Sequence, residues 1–237
     1  VCDDFLKVMG QAARRHQIQP PDRQLACAPV NSEEGRRYFA AMAAAANYAW
    51  ANRQAMTAWV RDSFQRTFEL PPRDLNMRLV YDVAHNIAKI ETHRVDGQTR
   101  RVMVHRKGAT RAFAPGRPEI PDDYRDVGQP VLIPGDMGTA SYVMAGDQGA
   151  MEESFGSCCH GAGRVMSRSG AKKRAKGRRI DAELAEKGVV VRSAGYKTLI
   201  EEMPEAYKDV SQVVEVVHQA GLARKVVRLR PMGVVKG

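Results

Sequence analysis

With 237 residues, 43% hydrophobic and 27% charged, the chain has the composition of a soluble globular protein, long enough for one large domain or two small ones. A count of 37 Lys and Arg against 27 Asp and Glu leaves a net charge of +10, which favours a polyanionic partner such as RNA, DNA or a nucleotide over an inert basic surface. Four cysteines, two of them vicinal, exclude a disulfide framework and point to a reducing, cytoplasmic setting, and no apolar run approaches the ~20 residues of a membrane-spanning helix, so no membrane partner is expected.

Residues 1–19 read as a short amphipathic helix with Phe5, Leu6, Met9 and Ala12 on one side, ended by Pro20-Pro21. Asn31 or Ser32 caps a long helix reaching about Phe68, with Glu33 and Glu34 suited to its positive end. Within it, Asn47, Asn52 and Arg53 serve either packing and solvent or a site. After Pro71-Pro72 the pattern predicts a strand over 78–83. A hairpin follows, with the run from His85 to His93, a turn at Asp96-Gly97 and a return from Arg101 to His105. It would bring His93 and His105 together with His85 near the base. Three such histidines are either a metal site or separate hydrogen-bonded structural residues.

Short strands are expected at 131–133 and 142–144. The turn between them, Pro134 to Ser141, is either a cradle for a nucleotide's ribose or phosphate or a plain tight hairpin. Next comes the stretch densest in chemistry, Ser154-Phe155-Gly156-Ser157-Cys158-Cys159-His160-Gly161-Ala162-Gly163-Arg164. An imidazole, small residues that let backbone amides approach a ligand, and a basic run downstream together point to phosphate chemistry. From Ala162 the residues favour helix, so His160 is expected at a helix N-terminus, where amides and dipole suit an anion. Arg164, Arg168 and Lys172 then share one helix face, either a phosphate track or a solvated surface. Beyond lie a helix over 181–186, a strand over 188–191, a turn broken at Pro204, a helix capped by Asp209 and stopped by Gly221, and a last strand over 225–230. With no repeat or linker, the fold class is α+β, mixed sheets with flanking helices, in a single domain.

Four stretches resemble one family. Asp82-Val83-Ala84-His85-Asn86-Ile87-Ala88-Lys89-Ile90-Glu91, His105-Arg106-Lys107-Gly108-Ala109-Thr110-Arg111, Pro134-Gly135 with Met137-Gly138-Thr139-Ala140-Ser141-Tyr142, and Cys159-His160-Gly161-Ala162-Gly163-Arg164 occur in the order found in the RtcB RNA-splicing ligases, as does the ending Val234-Val235-Lys236-Gly237. The resemblance implies a GTP- and Mn²⁺-dependent ligase that joins RNA 3′-phosphate or 2′,3′-cyclic phosphate ends to 5′-hydroxyl ends. By it, His160 is the catalytic residue that becomes guanylated, and His85 is a ligand to one of two manganese ions. It implies nucleotide contacts at His85, Asn86, Pro134, Gly135, Asp136, Met137, Ser141, His160, Gly161, Ala162, Gly163, Tyr207 and Lys236. Arg164 and Arg168 are implied contacts to RNA, whether tRNA halves or broken RNA, and an archease-type activator is an implied partner.

Asp136 departs from the family pattern, where a small neutral residue is usual, and Cys158-Cys159 has one cysteine more. The family's remaining manganese ligands (an Asp, a Cys and two further histidines) and a guanine-reading carboxylate lie upstream of Val1. Residues 1–237 therefore resemble the C-terminal portion of a single RtcB-like catalytic domain, an RtcB-like fold incomplete at the N-terminus. The alternative to a ligase is a nucleotide- or RNA-binding fragment without catalysis. A metal-dependent phosphatase or nuclease is disfavoured by the His-Gly-Ala-Gly context.

Overall fold

The computed structural model describes residues 2–193, 195–230 and 232–235, the side chains of Cys2 and residues 196–198 excepted. Its contacts gather into two compact units, Val1–Lys89 and Ile90–Gly237. Among the described residues no helix is long and apolar enough to cross a membrane.

The first unit is helical. Helix α1 (Cys2–Arg15) buries Met9, Ala12 and Ala13, and Phe5 meets Tyr38 edge-on with ring centroids 5.5 Å apart. Helix α2 (Glu33–Phe68) starts where expected: the Ser32 hydroxyl accepts the Gly35 N–H at 3.0 Å, filling one of the donors left open by a helix start. Arg53 Nε donates to Asp82 Oδ1 at 2.6 Å, and the Arg61 guanidinium donates to the Met77 carbonyl. These bonds fasten the segment after the helix as an irregular strap, so the strand expected over 78–83 does not form. Side-chain alternation alone does not make a strand, which needs a ladder of paired backbone.

The unit boundary falls inside strand β1 (Asn86–Val95), which pairs with β2 (Gln98–Lys107) as the expected hairpin. Asp96 and Gly97 both have positive φ (51° and 75°), the conformation of a two-residue hairpin turn. In the second unit, β3 (Ala109–Arg111) pairs antiparallel with β6 (Ser157–Cys159). A second sheet runs β4 (Pro130–Ile133), β5 (Ser141–Gly146) and β7 (Ala223–Leu229), all antiparallel. Short helices α3 (Asp122–Arg125) and α4 (Gln148–Glu153) link these strands.

Helix α8 (Val210–Gln219), capped by Asp209, buries Val210, Val214 and Val217 in one core with Val131, Ile133, Met144, Cys158 and Ala162. A second core unites α5 (Arg168–Arg174), α6 (Ile180–Glu186) and the turn at Pro204–Ala206 through Ala171, Ile180, Leu184 and Met203. Helix α7 (Tyr196–Glu201) precedes that turn. Two expectations change here. The strand over 188–191 is absent, because Val189 and Val191 pack against the second core from an irregular segment. The helix expected from Ala162 begins only at Arg168, where the Ser167 hydroxyl accepts the Gly170 N–H. Small antiparallel sheets together with separate helices make the architecture α+β.

Candidate functional site

Strand β6 ends at Cys159, and His160 is the next residue, so a strand rather than a helix N-terminus presents its imidazole. The glycines explain the difference. Gly163 has a φ of +77°, which ends any right-handed helix before it is built. The β3–β6 register places Ala109 against Cys159, and the neighbouring Gly108, itself at φ +68°, lies beside the ring. A Cβ on Gly108 would stand 3.5 Å from His160 Nε2 and 3.6 Å from the adjacent ring carbon. A Cβ there would be in ordinary contact with the ring, so Gly108 is required by its positive φ rather than by space.

One backbone contact holds the residues that follow. Ala162 N–H donates to the Pro134 carbonyl at 3.3 Å, and Ala162 itself is buried in the core under α8. The adjoining Cys158 thiol, foremost, pulls the Cys159 thiol below its ordinary range, while Cys159 and burial push Cys158 up. One of the three amides expected to cradle a phosphate, that of Ala162, is therefore engaged within the protein.

The turn after β4 is braced from inside. Gly135 N–H donates to Ser141 Oγ at 3.4 Å, Asp136 N–H to Thr139 Oγ1 at 3.2 Å, and Gly138 N–H to Asp136 Oδ1 at 2.7 Å. Asp136, the residue that departs from the family pattern, thus has its carboxylate occupied by the turn. Met137 packs on the second core, as does Tyr207.

Arg164 lies outside any helix, in an isolated bridge with Tyr207. Its guanidinium sits 4.9 Å from the Tyr207 ring centroid and donates to the Tyr207 hydroxyl at 3.0 Å, the Met166 carbonyl at 3.0 Å and the Glu201 carbonyl at 2.6 Å. The Tyr207 hydroxyl in turn donates to Glu202. Burial, then Glu202, raises the Tyr207 phenol above its ordinary range. Arg168 and Lys172 pair with the Glu201 carboxylate at 3.3 and 2.6 Å. The expected row Arg164, Arg168 and Lys172 is not a single helix face, but all three converge on Glu201 and Glu202.

His93 and His105 do not form a metal site. His93 is buried, its Nε2 3.0 Å from Glu91 Oε2, and the same carboxylate takes two bonds from Arg106 at 2.8 Å. His105 is an exposed residue of β2. Among the described residues no three His, Cys, Asp or Glu side chains gather to hold a metal ion. His85 and Asn86 belong to the first unit, at the start of β1, and His160 to the second. Lys236 lies outside the described residues.

Sequence reasoning missed Glu91, Arg106, Glu201 and Glu202. Buried charges at Glu91 and Arg106 were a usable signal only once the hairpin was known, since the two do not face each other across a two-residue turn. The Glu201-Glu202 pair amid cations carries no motif.

The family model described as tRNA-splicing ligase RtcB matches residues 1–237. The chain is 60% identical over 237 residues to the tRNA-splicing ligase RtcB of Archaeoglobus fulgidus, covering 100% of this chain and 49% of that protein. It is 57% identical to that of Thermococcus kodakarensis, with coverage of 100% and 49%, and 60% identical to that of Pyrococcus abyssi, with coverage of 100% and 26%. The chain thus spans half or less of the length of these relatives.

Proposed function

Because the chain belongs to the RtcB family, we propose that it is the His160-bearing portion of a GTP- and Mn²⁺-dependent RNA ligase. The observation that carries this reading is the His160 imidazole set at the end of β6 with Gly108, at φ +68°, directly beside it. A ring nitrogen of His160 attacks the α-phosphorus of GTP; the N–P bond forms and pyrophosphate leaves. An oxygen of the RNA 3′-phosphate then takes the guanylyl group, which breaks the N–P bond and frees the imidazole. Finally the 5′-hydroxyl oxygen attacks the activated 3′-phosphorus and GMP departs, leaving a phosphodiester. A 2′,3′-cyclic end has to be opened by water first, since it lacks the second non-bridging charge that the guanylyl acceptor needs. Bound manganese would supply charge neutralisation at the phosphates, with His85 the donor from this chain.

Pro134, Gly135, Asp136, Met137 and Ser141, with His85, Asn86 and the 160–163 backbone, are proposed nucleotide contacts, Tyr207 the base-stacking ring, and Lys236 a further contact. Arg164 and Arg168 are proposed to receive RNA phosphates, which must displace Glu201 and Glu202 from them. Both units would form part of one catalytic domain acting in the cytoplasm on tRNA halves or broken RNA, with an archease-type protein as activator.

A second reading, a nucleotide- or RNA-binding fragment, is favoured by the lack of any three-donor metal cluster among the described residues. Labelled GTP and Mn²⁺ separate the two. The full-length protein is expected to take up an acid-labile label that His160→Ala abolishes. The 237-residue chain alone is expected to remain unlabelled while it retains RNA. An unlabelled full-length protein would sink the ligase reading.

A further inference from the structure

Resting on the reading of His160 as nucleophile, we propose that Arg106 is a positioning residue for it, acting through Ser157. Arg106 is 2% exposed and Glu91 5% exposed, so the guanidinium is buried against its carboxylate partner. Neutralisation alone would need only the two bonds to Glu91. Arg106 makes three more, all to the residues just ahead of Cys158: Nε to Ser157 Oγ at 2.8 Å, and one terminal nitrogen to the carbonyls of Phe155 at 2.9 Å and Gly156 at 3.3 Å. Phe155 and Gly156 are both at positive φ, a turn that these two carbonyl contacts help to fix.

The position of Arg106 in the chain gives those bonds their meaning. It stands two residues before Gly108, and Ser157 stands three before His160. One guanidinium therefore joins the bases of two arms whose tips, Gly108 and His160, lie side by side. The β3–β6 ladder sets the spacing of the arms, and the Arg106 fork sets their offset along the strand direction. Lysine cannot take over this role, because a point charge satisfies Glu91 without reaching the hydroxyl and both carbonyls in a fixed plane. Displacing a nucleophile by about 1 Å from its attack position costs on the order of 100-fold in rate, so a lost fork is expected to act on the chemical step rather than on GTP binding.

The test measures single-turnover labelling of the full-length protein by labelled GTP with Mn²⁺, across GTP concentrations. Ser157→Ala is expected to slow labelling at saturating GTP about tenfold, with the half-saturating concentration unchanged within about twofold. Ser157→Thr, which keeps the hydroxyl, restores the rate, and Arg106→Lys loses about 100-fold. Unaltered rates in Ser157→Ala and Arg106→Lys overturn the assignment. So does a loss that Ser157→Thr fails to restore, or one matched by an equal weakening of GTP binding. Label persisting in His160→Ala overturns the nucleophile reading itself, and that result is read independently of the Ser157 and Arg106 variants.

Discussion

At the residue scale the strongest commitment is the buried Glu91–Arg106 pair. Burial alone would push the Glu91 carboxyl up, but hydrogen bonds from Arg106 and His93 outweigh it and hold the carboxyl below the ordinary carboxylate range. The stabilisation it gives is complete above its ordinary, unfolded value and is lost as pH falls through the lower folded value. Glu91→Gln leaves a buried guanidinium without its counter-charge, and is expected to cost about 3–5 kcal/mol in urea unfolding at neutral pH. The same variant flattens the acid limb of stability against pH, which a titration between the two proteins checks. At Gly108 a methyl group would be in ordinary contact with His160, so the cost of Gly108→Ala lies in its φ of +68° and amounts to about 1 kcal/mol.

At the element scale, local chemistry set what was legible. The Ser32 cap, the Asp96-Gly97 turn and the Asp209 cap each depend on residues adjacent in sequence, and each element begins or turns where its signal stands. Ser32→Ala is expected to destabilise α2 by about 1 kcal/mol, read as a lower midpoint in helix-monitored unfolding. The segment over 78–83 has a strand-like pattern but forms no strand, because pairing is a tertiary fact. The helix expected from Ala162 failed for a similar reason. Composition there favoured helix, while the Lys208 N–H to the Gly163 carbonyl and the Val165 N–H to the Ala206 carbonyl bind that segment to the Pro204 turn instead. His85, Asn86 and His160 were picked out by motif, whereas Arg106 and Glu91 have meaning only through contacts that no spacing in the sequence announces.

For the molecule as a whole, the charge of +10 is partly spent internally. Arg168 and Lys172 face Glu201, whose carboxyl is held below its ordinary range by Lys172 first. RNA phosphates and Glu201 compete for the same cations. Glu201→Gln is therefore expected to tighten single-stranded RNA binding and to steepen the slope of log affinity against log salt by about 0.7 for each cation released to phosphate. Fluorescence anisotropy over a salt series measures both, and an unchanged slope would place the RNA path elsewhere.

The glycines flanking His160 differ in a way that bears on how this protein can vary. Gly156, at φ +61°, lies beneath the fully buried Phe113 ring, and any Cβ there would overlap the ring's edge. That ring is itself overlain by the Arg111 and Arg117 guanidinium groups at 4.8 and 4.9 Å, so it has little freedom to yield. Gly163, at φ +77°, has nothing within 4 Å of where a Cβ would go. In a saturation library selected only for folding, Gly156 should tolerate no replacement, while Gly163 should admit asparagine and aspartate, which enter the left-handed region most readily. For folding alone, the sequence is thus open to change on the Arg164 side of the histidine and locked on the strand side.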